Sequence, residues 1–406
     1  MSLDNVIASP ANGPAVGDLL AQLCGQRNID LNNMSQRLEL LATTRALTRA
    51  LETPRETLLR YCWSEPAGFA AIRTAIDLGV FSLLPTGSGP KTVSDLATAT
   101  KCDETFLARV LRHLGATGVL TETGPDEYEG TAFSTALGDE RFSDIFPLFA
   151  DRLGKGVSAI PEHAKENNYQ SPARASHTPF QKAFQTEKDF FKYIQDEPHT
   201  LKQFANHMST YHQGRPSWMD RNFYPVQERL LDDQKITSTD VLLVDVGGST
   251  GHDLSEFRQK WPDAPGRLVL QDRSEVIAKA QELALHPSIE PMAHDFFTAQ
   301  PVRGARAYYM HSVLHDWSDE MCRSILVNMA AAMKPGFSKL LINENVVPDR
   351  NASWEATGLD FIMMSVGAAE RTRKDWVELV ASAGLQILGI WTAHQGTESL
   401  IECELG

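Results

Sequence analysis

Acidic residues recur where short apolar runs of the sequence end. Asp245 lies in "VLLVDVGG", Asp272 ends "RLVLQD", and Asp295 follows in "MAHDFF". The carboxyl ends of parallel strands meet along one edge of a sheet, and ligands of open α/β folds bind there. A single acid in such a position is more often a helix cap or a loop residue. Three in succession favour a ligand site.

A glycine-rich loop follows the first of these acids and contains Gly247, Gly248 and Gly251. Glycines after a strand let backbone amides approach a ligand closely. Their spacing does not match the G-x-G-x-x-G fingerprint, and the carboxylate of Asp245 would repel a pyrophosphate. The loop therefore disfavours an NAD-dependent oxidoreductase and favours a cofactor that carries positive charge.

The other two acids suit a nucleoside. Asp272 lies about 20 residues beyond the glycines, where an acid accepts hydrogen bonds from ribose hydroxyls. Asp295 can accept a hydrogen bond from the exocyclic amine of adenine, and the ring of Phe296 can stack on the base.

Two histidines, His311 and His315, stand four residues apart in "HSVLHDWSDE". On a helix this spacing places both rings on one face, as in zinc proteases. The preceding "ARAYYM" has the pattern of a strand, however, and Ser318 is a suitable cap for a helix that begins after it. The protease motif also needs glutamate at position 312, which is Ser312 here. We therefore expect the histidines on a strand tip and a loop, with no metal bound.

The elements that must position these residues follow from the apolar pattern. Hydrophobic residues make up 42% of the 406, which predicts a globular chain with a large core. From residue 236 onward, apolar runs alternate with helical segments such as "HDLSEFRQKW", which predicts a parallel α/β sheet. Only "HQGT" separates the last two runs, "LQILGIWTA" and "ESLIECEL". They predict a hairpin and an antiparallel terminal strand.

The N-terminal part has the pattern of a winged helix. "GFAAIRTAIDLGVFSLL" predicts one amphipathic helix, Thr92 and Asp103 can each cap a helix, and "GVLTETGPDEYEGT" predicts a hairpin. Such a module serves either DNA binding or dimerisation. The helix after Asp103 carries Glu104 with Arg109 and Arg112, so it is nearly neutral, which disfavours DNA binding.

Three domains are predicted: a helical and winged-helix domain over residues 1–140, a helical connector over 141–235, and an α/β domain over 236–406. The connector contains the aromatic stretch "FQKAFQTEKDFFKYI". Such a stretch is more often core than pocket, yet it is the best candidate in the sequence for a hydrophobic substrate wall.

Charge and composition exclude several classes of protein. The net charge is −14, and the sequence contains no run of Lys and Arg, which disfavours binding to nucleic acid or to anionic membranes. We find no apolar run of about 18 residues and no signal-peptide pattern. The five cysteines form no CxxC, which is typical of reduced thiols. A cytoplasmic location is therefore expected.

Six motifs occur in the order and spacing of a known family: "VDVGGSTG", "LQDRSEVI", "HDFF", "HSVLHDWSDE", "INENVVPD" and "ERTRKDW". The chain resembles class I S-adenosylmethionine (SAM)-dependent O-methyltransferases, above all caffeate-type plant enzymes and fungal secondary-metabolite enzymes. The resemblance covers nearly the whole chain. It implies a Rossmann-like SAM-binding domain after a winged-helix dimerisation domain, a homodimer, and a small aromatic or polyketide-like substrate.

The resemblance also implies roles for single residues. It assigns the cofactor contacts to Asp245, Gly247, Gly248, Gly251, Asp272, Asp295 and Phe296, and the catalytic roles to His315, Glu344 and Glu370. His315 matches the general base, and the two glutamates match the acids that flank it. His311 falls where plant members place a lysine near the cofactor.

Two departures from the family pattern stand out. Ser249 replaces the middle glycine of the loop, and "FIMMSVGAAERT" is shorter than in plant members and lacks their asparagine. The substrate wall is therefore expected to differ from theirs.

Methyl transfer to a hydroxyl needs a base, because a phenol with a pKa of about 10 is only ~0.1% ionised at pH 7. Histidine suits this role, and either Glu344 or Glu370 can hold its tautomer. Some fungal relatives instead use the fold for pericyclic or dehydration chemistry. Such enzymes tend to lose the base histidine, which is present here.

Overall fold

The computed structural model describes residues 2–26, 29–172, 177–211, 214–231, 236–283, 285–394 and 396–406. The chain forms two compact units. The first comprises Met1–Leu148 and Lys202–Tyr211, and the second comprises Phe149–Leu201 and His212–Gly406. The predicted boundaries at residues 140 and 235 stay predictions.

The elements of the first unit are, in chain order, α1 (Leu3–Ile7), α2 (Gly13–Gly25), α3 (Met34–Leu51), α4 (Pro54–Leu59), α5 (Glu65–Asp77), α6 (Val80–Leu83), β1 (Lys91–Thr92), α7 (Val93–Thr100), α8 (Glu104–Ala116), β2 (Leu120–Gly124), β3 (Glu127–Gly130), α9 (Ala132–Ala136), α10 (Glu140–Ser143) and α11 (Ile145–Leu148). A π-helical turn at Arg60–Ser64 joins α4 to α5.

The helices predicted after Thr92 and Asp103 and the predicted hairpin are present. Thr92 caps α7 in a capping box, and the Asp103 side chain accepts a hydrogen bond from the Phe106 N–H at the start of α8. The strands form an antiparallel sheet in the order β1-β3-β2. The single helix predicted over "GFAAIRTAIDLGVFSLL" was wrong. Gly79 has a φ of 70° and separates α5 from α6, because a left-handed glycine ends a helix.

The elements of the second unit begin with α12 (Gly154–Glu166), α13 (Pro179–Phe184), α14 (Phe190–Gln195) and α15 (Pro198–Tyr211), whose residues from 202 onward belong to the first unit. They continue with β4 (Val241–Val246), α16 (His252–Lys260), β5 (Arg267–Asp272), α17 (Ser274–Glu282), β6 (Ile289–Ala293), β7 (Ala307–His311), α18 (Asp319–Ala332), β8 (Lys339–Glu344), β9 (Val346–Val347), α19 (Trp354–Val366), β10 (Arg371–Thr372), α20 (Arg373–Ser382), β11 (Leu385–Thr392) and β12 (Ser399–Leu405). Shorter π-helical turns lie at Phe149–Leu153 and Gln227–Leu231, and a 3₁₀ turn lies at Leu314–Asp316.

Among the described residues, seven strands form one sheet in the order β11-β12-β8-β7-β4-β5-β6. From β8 to β6 the neighbouring strands are parallel, and β12 is antiparallel to both β8 and β11. The expected α/β fold with an antiparallel terminal strand is therefore confirmed. The strand order reverses between β4 and β7, which is where open α/β sheets form their ligand crevice.

Apolar side chains pack on both faces of this sheet. Along β7, Tyr308 and Met310 join the core with α18 and α20, whereas Ala307 and Tyr309 join the core with α16 and α17. This alternation follows from the two-residue period of a strand. A strand buried on both faces is rigid, so its carboxyl end is a stable support for polar residues.

The predicted aromatic stretch is mostly core. Phe180, Phe184, Phe190 and Tyr193 pack together, with Phe180 at 4.6 to 5.4 Å from the other three ring centroids. Phe191 instead stacks on Trp317, with the ring centroids 6.4 Å apart. None of the described helices has the length and apolar character needed to cross a membrane.

Candidate active site

The three predicted acids lie at the carboxyl ends of neighbouring parallel strands. Asp245 is the penultimate residue of β4, Asp272 ends β5, and Asp295 follows the end of β6 by two residues. These strands are adjacent in the sheet, so the structure brings the three acids to one edge, as the sequence predicted.

The loop after β4 has no space for side chains at its glycines. A Cβ on Gly248 would lie 2.4 Å from the carboxylate of Asp245, and a Cβ on Gly247 would lie 2.9 Å from Val313. Gly247 and Gly251 also have φ values of 80° and 83°, which L side chains rarely adopt. The loop backbone therefore presses against the strand tip, where only glycine fits.

Asp245 is buried without a counter-charge in contact. It is 1% exposed, and within the described part of the chain neither carboxylate oxygen has a hydrogen-bond partner. Burial raises the pKa of Asp245 well above its usual value, Asp253 raises it further, and His311 opposes both. A buried carboxylate of this kind is costly unless it meets a cation or a donor. It therefore fits the positively charged cofactor that the loop predicts.

Asp272 accepts two backbone hydrogen bonds, from the N–H of Ser249 at 2.9 Å and from that of Arg273 at 2.7 Å. Burial raises its pKa, and these two donors oppose the rise. Ser249 has a φ of 52°, a left-handed conformation that glycine adopts more readily. This residue is the one that departs from the family loop, and its N–H still reaches Asp272.

At the end of β6, the Asp295 carboxylate accepts a hydrogen bond from the Phe297 N–H at 3.0 Å. The rings of Phe296 and Phe297 both meet Trp317 edge to face, with centroid distances of 6.1 and 5.0 Å. Trp317 therefore links Phe296, which was predicted to stack on adenine, with Phe191 of the predicted substrate wall.

His311 ends β7 and lies between two carboxylates. Its Nδ1 is 2.6 Å from Asp253 and its Nε2 is 3.2 Å from Glu398, while the Tyr309 hydroxyl donates to Asp253 at 2.8 Å. Burial opposes the charged imidazole, but the two carboxylates raise the pKa of His311 well above its usual value. Sequence reasoning missed Asp253 and Glu398, although Asp253 stands directly after the glycine loop.

His315 lies in the 3₁₀ turn Leu314–Asp316 and not in an open loop. Its Nδ1 donates to Glu370 at 2.8 Å, whereas Glu344 is 3.9 Å away. Of the two acids between which the sequence left the choice open, Glu370 is the one in hydrogen-bond contact with the ring. Glu344 instead accepts the backbone N–H groups of Val313, Leu314 and His315 at 2.8 to 3.3 Å.

A third carboxylate, that of Asp316, lies 3.5 Å from Nε2 of His315 and was not predicted. Burial opposes the charged imidazole, but Glu344, Asp316 and Glu370 raise the pKa of His315 to about 10. Burial in turn raises the pKa of Glu344 to about 7 and that of Asp316 to about 6. The four groups share protons, and the three carboxylates favour the imidazolium form of His315 in the ligand-free protein.

Ligand atoms of His315, Glu344 and Glu370 lie within 4.8 Å of one another, a spacing that a metal ion could bridge. The Nδ1 of His315 is already bonded to Glu370, and Glu344 accepts three amides. The helix needed for the zinc-protease arrangement is not formed, because His311 ends a strand. Absence of a bound metal stays a prediction.

Comparison with known proteins identifies the family. A model of the O-methyltransferase domain matches residues 166–386, and a model of the O-methyltransferase dimerisation domain matches residues 67–139. The O-methyltransferase mpaG of Penicillium brevicompactum is 39% identical over 92% of this chain and 94% of its own. The chain belongs to the O-methyltransferase family, which confirms the resemblance seen in the sequence.

Solved structures share the whole architecture. LepI in complex with SAM superposes with a TM-score of 0.86 at 29% identity, covering 97% of this chain and 98% of its own. A structure described as a pericyclic reaction enzyme has the same TM-score and identity, with 97% and 99% coverage. The predicted fold class, a helical dimerisation domain followed by a Rossmann-like domain, is confirmed.

Asp245→Asn tests the buried carboxylate in the ligand-free protein. Because the folded-state pKa of Asp245 is raised, its contribution to stability is complete below the usual pKa of about 3.9 and is lost as pH rises through the folded value. The asparagine side chain of the variant does not titrate. The free energy of unfolding of the variant minus that of wild type should therefore increase by up to about 1.4 kcal/mol per pH unit within that window. Urea unfolding over a pH series measures this, and a pH-independent difference would contradict it.

Proposed function

We propose that the protein transfers the methyl group of SAM to a hydroxyl of a small aromatic or polyketide-like metabolite. One observation carries the proposal: the buried imidazole of His315, bonded to Glu370, follows a strand next to the one that bears Asp245, whose carboxylate has no hydrogen-bond partner in the part of the chain that the structure describes. A base and a cation-binding site thus follow adjacent strand ends.

The proposed cofactor contacts follow the strand edge. Asp245 and the glycine loop would hold the amino-acid part, Asp272 the ribose, and Asp295 with Phe296 the adenine, with His311 near the amino-acid end. The complex of LepI with SAM supports this choice of cofactor. When bound, SAM supplies a methyl group that is already activated on a sulfonium.

His315 is the proposed general base. Glu370 accepts a hydrogen bond from Nδ1–H of His315. The other ring nitrogen, Nε2, can then take the proton from the hydroxyl of the acceptor. Nε2 must be unprotonated before it can accept that proton. The surrounding carboxylates oppose this, because they raise the pKa of His315. A cation bound nearby lowers the pKa of an imidazole, so occupation of the cofactor site favours the basic form of His315.

The proposed acceptor is aromatic because aromatic side chains adjoin the base. Trp317, two residues beyond His315, contacts Phe191, Phe296 and Phe297. Such surfaces favour flat, apolar ligands with few polar groups. The dimerisation domain supports a homodimer, and a cytoplasmic location without nucleic-acid or membrane partners stays a prediction.

Pericyclic or dehydration chemistry is the second candidate, favoured by the likeness to a pericyclic reaction enzyme. Against it stands the complete His315 group, since a base held by Glu370 serves proton removal from a hydroxyl. The two candidates differ in one product: methyl transfer releases S-adenosylhomocysteine in step with substrate use.

The function is tested by incubating the protein with SAM and a panel of phenols, with and without a chelator, and measuring S-adenosylhomocysteine. We expect turnover that the chelator does not reduce. His315→Ala should lower turnover by about 10²–10⁴-fold, which is the usual contribution of a general base, while calorimetry shows unchanged SAM affinity. Substrate conversion without S-adenosylhomocysteine would favour the second candidate, and wild-type turnover in His315→Ala would exclude this base.

Glu370→Gln tests the charge behind the base through the pH profile. The value of kcat/KM should rise with pH as His315 loses its proton, because this ratio reports the free enzyme. Removing the negative charge of Glu370 lowers the pKa of His315, so the acid limb should move to lower pH while the plateau falls. Glu378→Gln, on the exposed face of α20, is the control and should retain the wild-type profile. An unmoved limb in Glu370→Gln would contradict the assignment.

Asp272→Ala tests the proposed ribose contact. Hydrogen bonds to a charged group are worth about 1.5–3 kcal/mol, so SAM should bind roughly 10- to 150-fold more weakly by calorimetry. Asp263→Ala, at an exposed position, is the control. Equal affinities in the two variants would remove Asp272 from the site.

A further inference from the structure

The backbone turn that carries His315 is held on its amide side by a single carboxylate. One oxygen of Glu344 accepts the N–H groups of Val313, Leu314 and His315 at 2.9, 2.8 and 3.3 Å. Glu344 is 1% exposed, so water does not compete for these bonds. The amides of the turn are therefore fixed, and its carbonyls need other partners.

The thiol of Cys322 donates to the carbonyls of Leu314 at 3.0 Å and Trp317 at 3.4 Å, and three further partners are the consecutive residues at the start of β10. The N–H of Ala369 donates to the carbonyl of His315 at 3.3 Å, and the Glu370 side chain bonds the ring of His315. The guanidinium of Arg371 donates to the carbonyls of Leu314 at 2.9 Å and Trp317 at 2.8 Å. Arg371 thus bonds carbonyls on both sides of His315.

The remaining contacts of Arg371 fix the guanidinium itself. Its Nε donates to Asp319 at 2.9 Å, Nη2 approaches the sulfur of Cys322 at 3.4 Å, and the group lies 5.3 Å from the centre of the Trp376 ring. Arg371 is 4% exposed. A planar fork with five donors can serve two carbonyls and a carboxylate at once, which the single ammonium of lysine cannot.

We propose that Arg371 is a positioning residue for the reaction: its guanidinium holds the turn 314–317 at the spacing at which the ring of His315 meets Glu370. This inference rests on the proposed function for its kinetic consequence. The contacts it invokes are between the chain's own groups, and they exist whether or not a substrate is bound. Arg371 was not among the site residues predicted from the sequence.

Arg371 directly follows Glu370 in the chain, so the residue that holds the turn and the residue that holds the ring are covalently linked. Any shift of β10 relative to the turn moves the ring partner and the carbonyl partners together. Arg371 begins β10 and Glu370 directly precedes that strand, so we expect the ring to keep its orientation relative to the turn. A misplacement of about 1 Å can lower a rate by about 10²-fold.

The test compares Arg371→Lys with Arg306→Lys. Arg306 is also buried, at 7% exposed, and donates to the carbonyls of Leu230, Arg229 and Phe337, away from the turn. Both variants lose a buried fork of donors, so both should lose thermal stability. Only Arg371→Lys should lower kcat, by about 10- to 100-fold, with the KM for SAM unchanged.

A second readout needs no turnover. In Arg371→Lys the ring of His315 moves away from Glu370, so NMR titration of the ligand-free protein should give His315 a lower pKa than in wild type. Arg306→Lys should leave that value unchanged. A wild-type protein that forms no S-adenosylhomocysteine would refute the proposed function, and the titration would still decide the role of Arg371. Equal kcat and equal His315 pKa in the two variants would overturn the proposal.

If Arg371→Lys does not fold, Asp319 provides the second pair of variants. Its side chain is 77% exposed, so substitution leaves the core intact. Asp319→Lys places a cation beside the guanidinium and should displace it, lowering both kcat and the His315 pKa. Asp319→Asn keeps an acceptor for Nε and should retain both. Identical values in these two variants would overturn the proposal.

Discussion

The hydrogen bond between His315 and Glu370 is the contact on which the rest of the site depends. Its partners are 55 residues apart in the chain and meet at 2.8 Å. An imidazole in a flexible loop could not keep such a partner, because each rotatable bond would cost conformational entropy. The 3₁₀ turn is instead tied down, with Glu344 on its amides and Arg371 and Cys322 on its carbonyls.

Charge balance is the second constraint, and it acts at two places along the same sheet edge. His311 stands between Asp253 and Glu398, and His315 stands among three carboxylates. In each case the carboxylates raise the pKa of the imidazole and so favour its charged form. Asp245 is the exception, since its carboxylate is buried without a hydrogen-bond partner among the described residues. A cationic cofactor would stabilise the ionised form of this carboxyl group, whereas the pyrophosphate of a dinucleotide would oppose it.

The sequence predicted the parts of this site that follow from local pattern. Strand ends, the glycine loop and the cap at Ser318 could be located because apolar period, turn chemistry and capping are short-range properties. The break at Gly79 was missed because an apolar period continues across it. The roles of Asp253, Glu398 and Arg371 could not be predicted, because each depends on which strands become neighbours. Family motifs supplied Glu344 and Glu370 but did not say which of them would meet the ring.

The fold alone does not separate methyl transfer from pericyclic chemistry, since a pericyclic reaction enzyme superposes on this chain with a TM-score of 0.86. The two chemistries differ in whether a proton must be removed from the substrate. A pericyclic step needs shape and no strong base, so a buried imidazole ringed by three carboxylates would be a costly feature without a use. Removal of a proton from a hydroxyl is served by a base, and the carboxylates around His315 raise its pKa and thus its affinity for a proton. If His315 is that base, a cationic cofactor bound nearby would lower this pKa, so binding of the methyl donor would favour loss of the imidazole proton and couple proton removal to the presence of the donor.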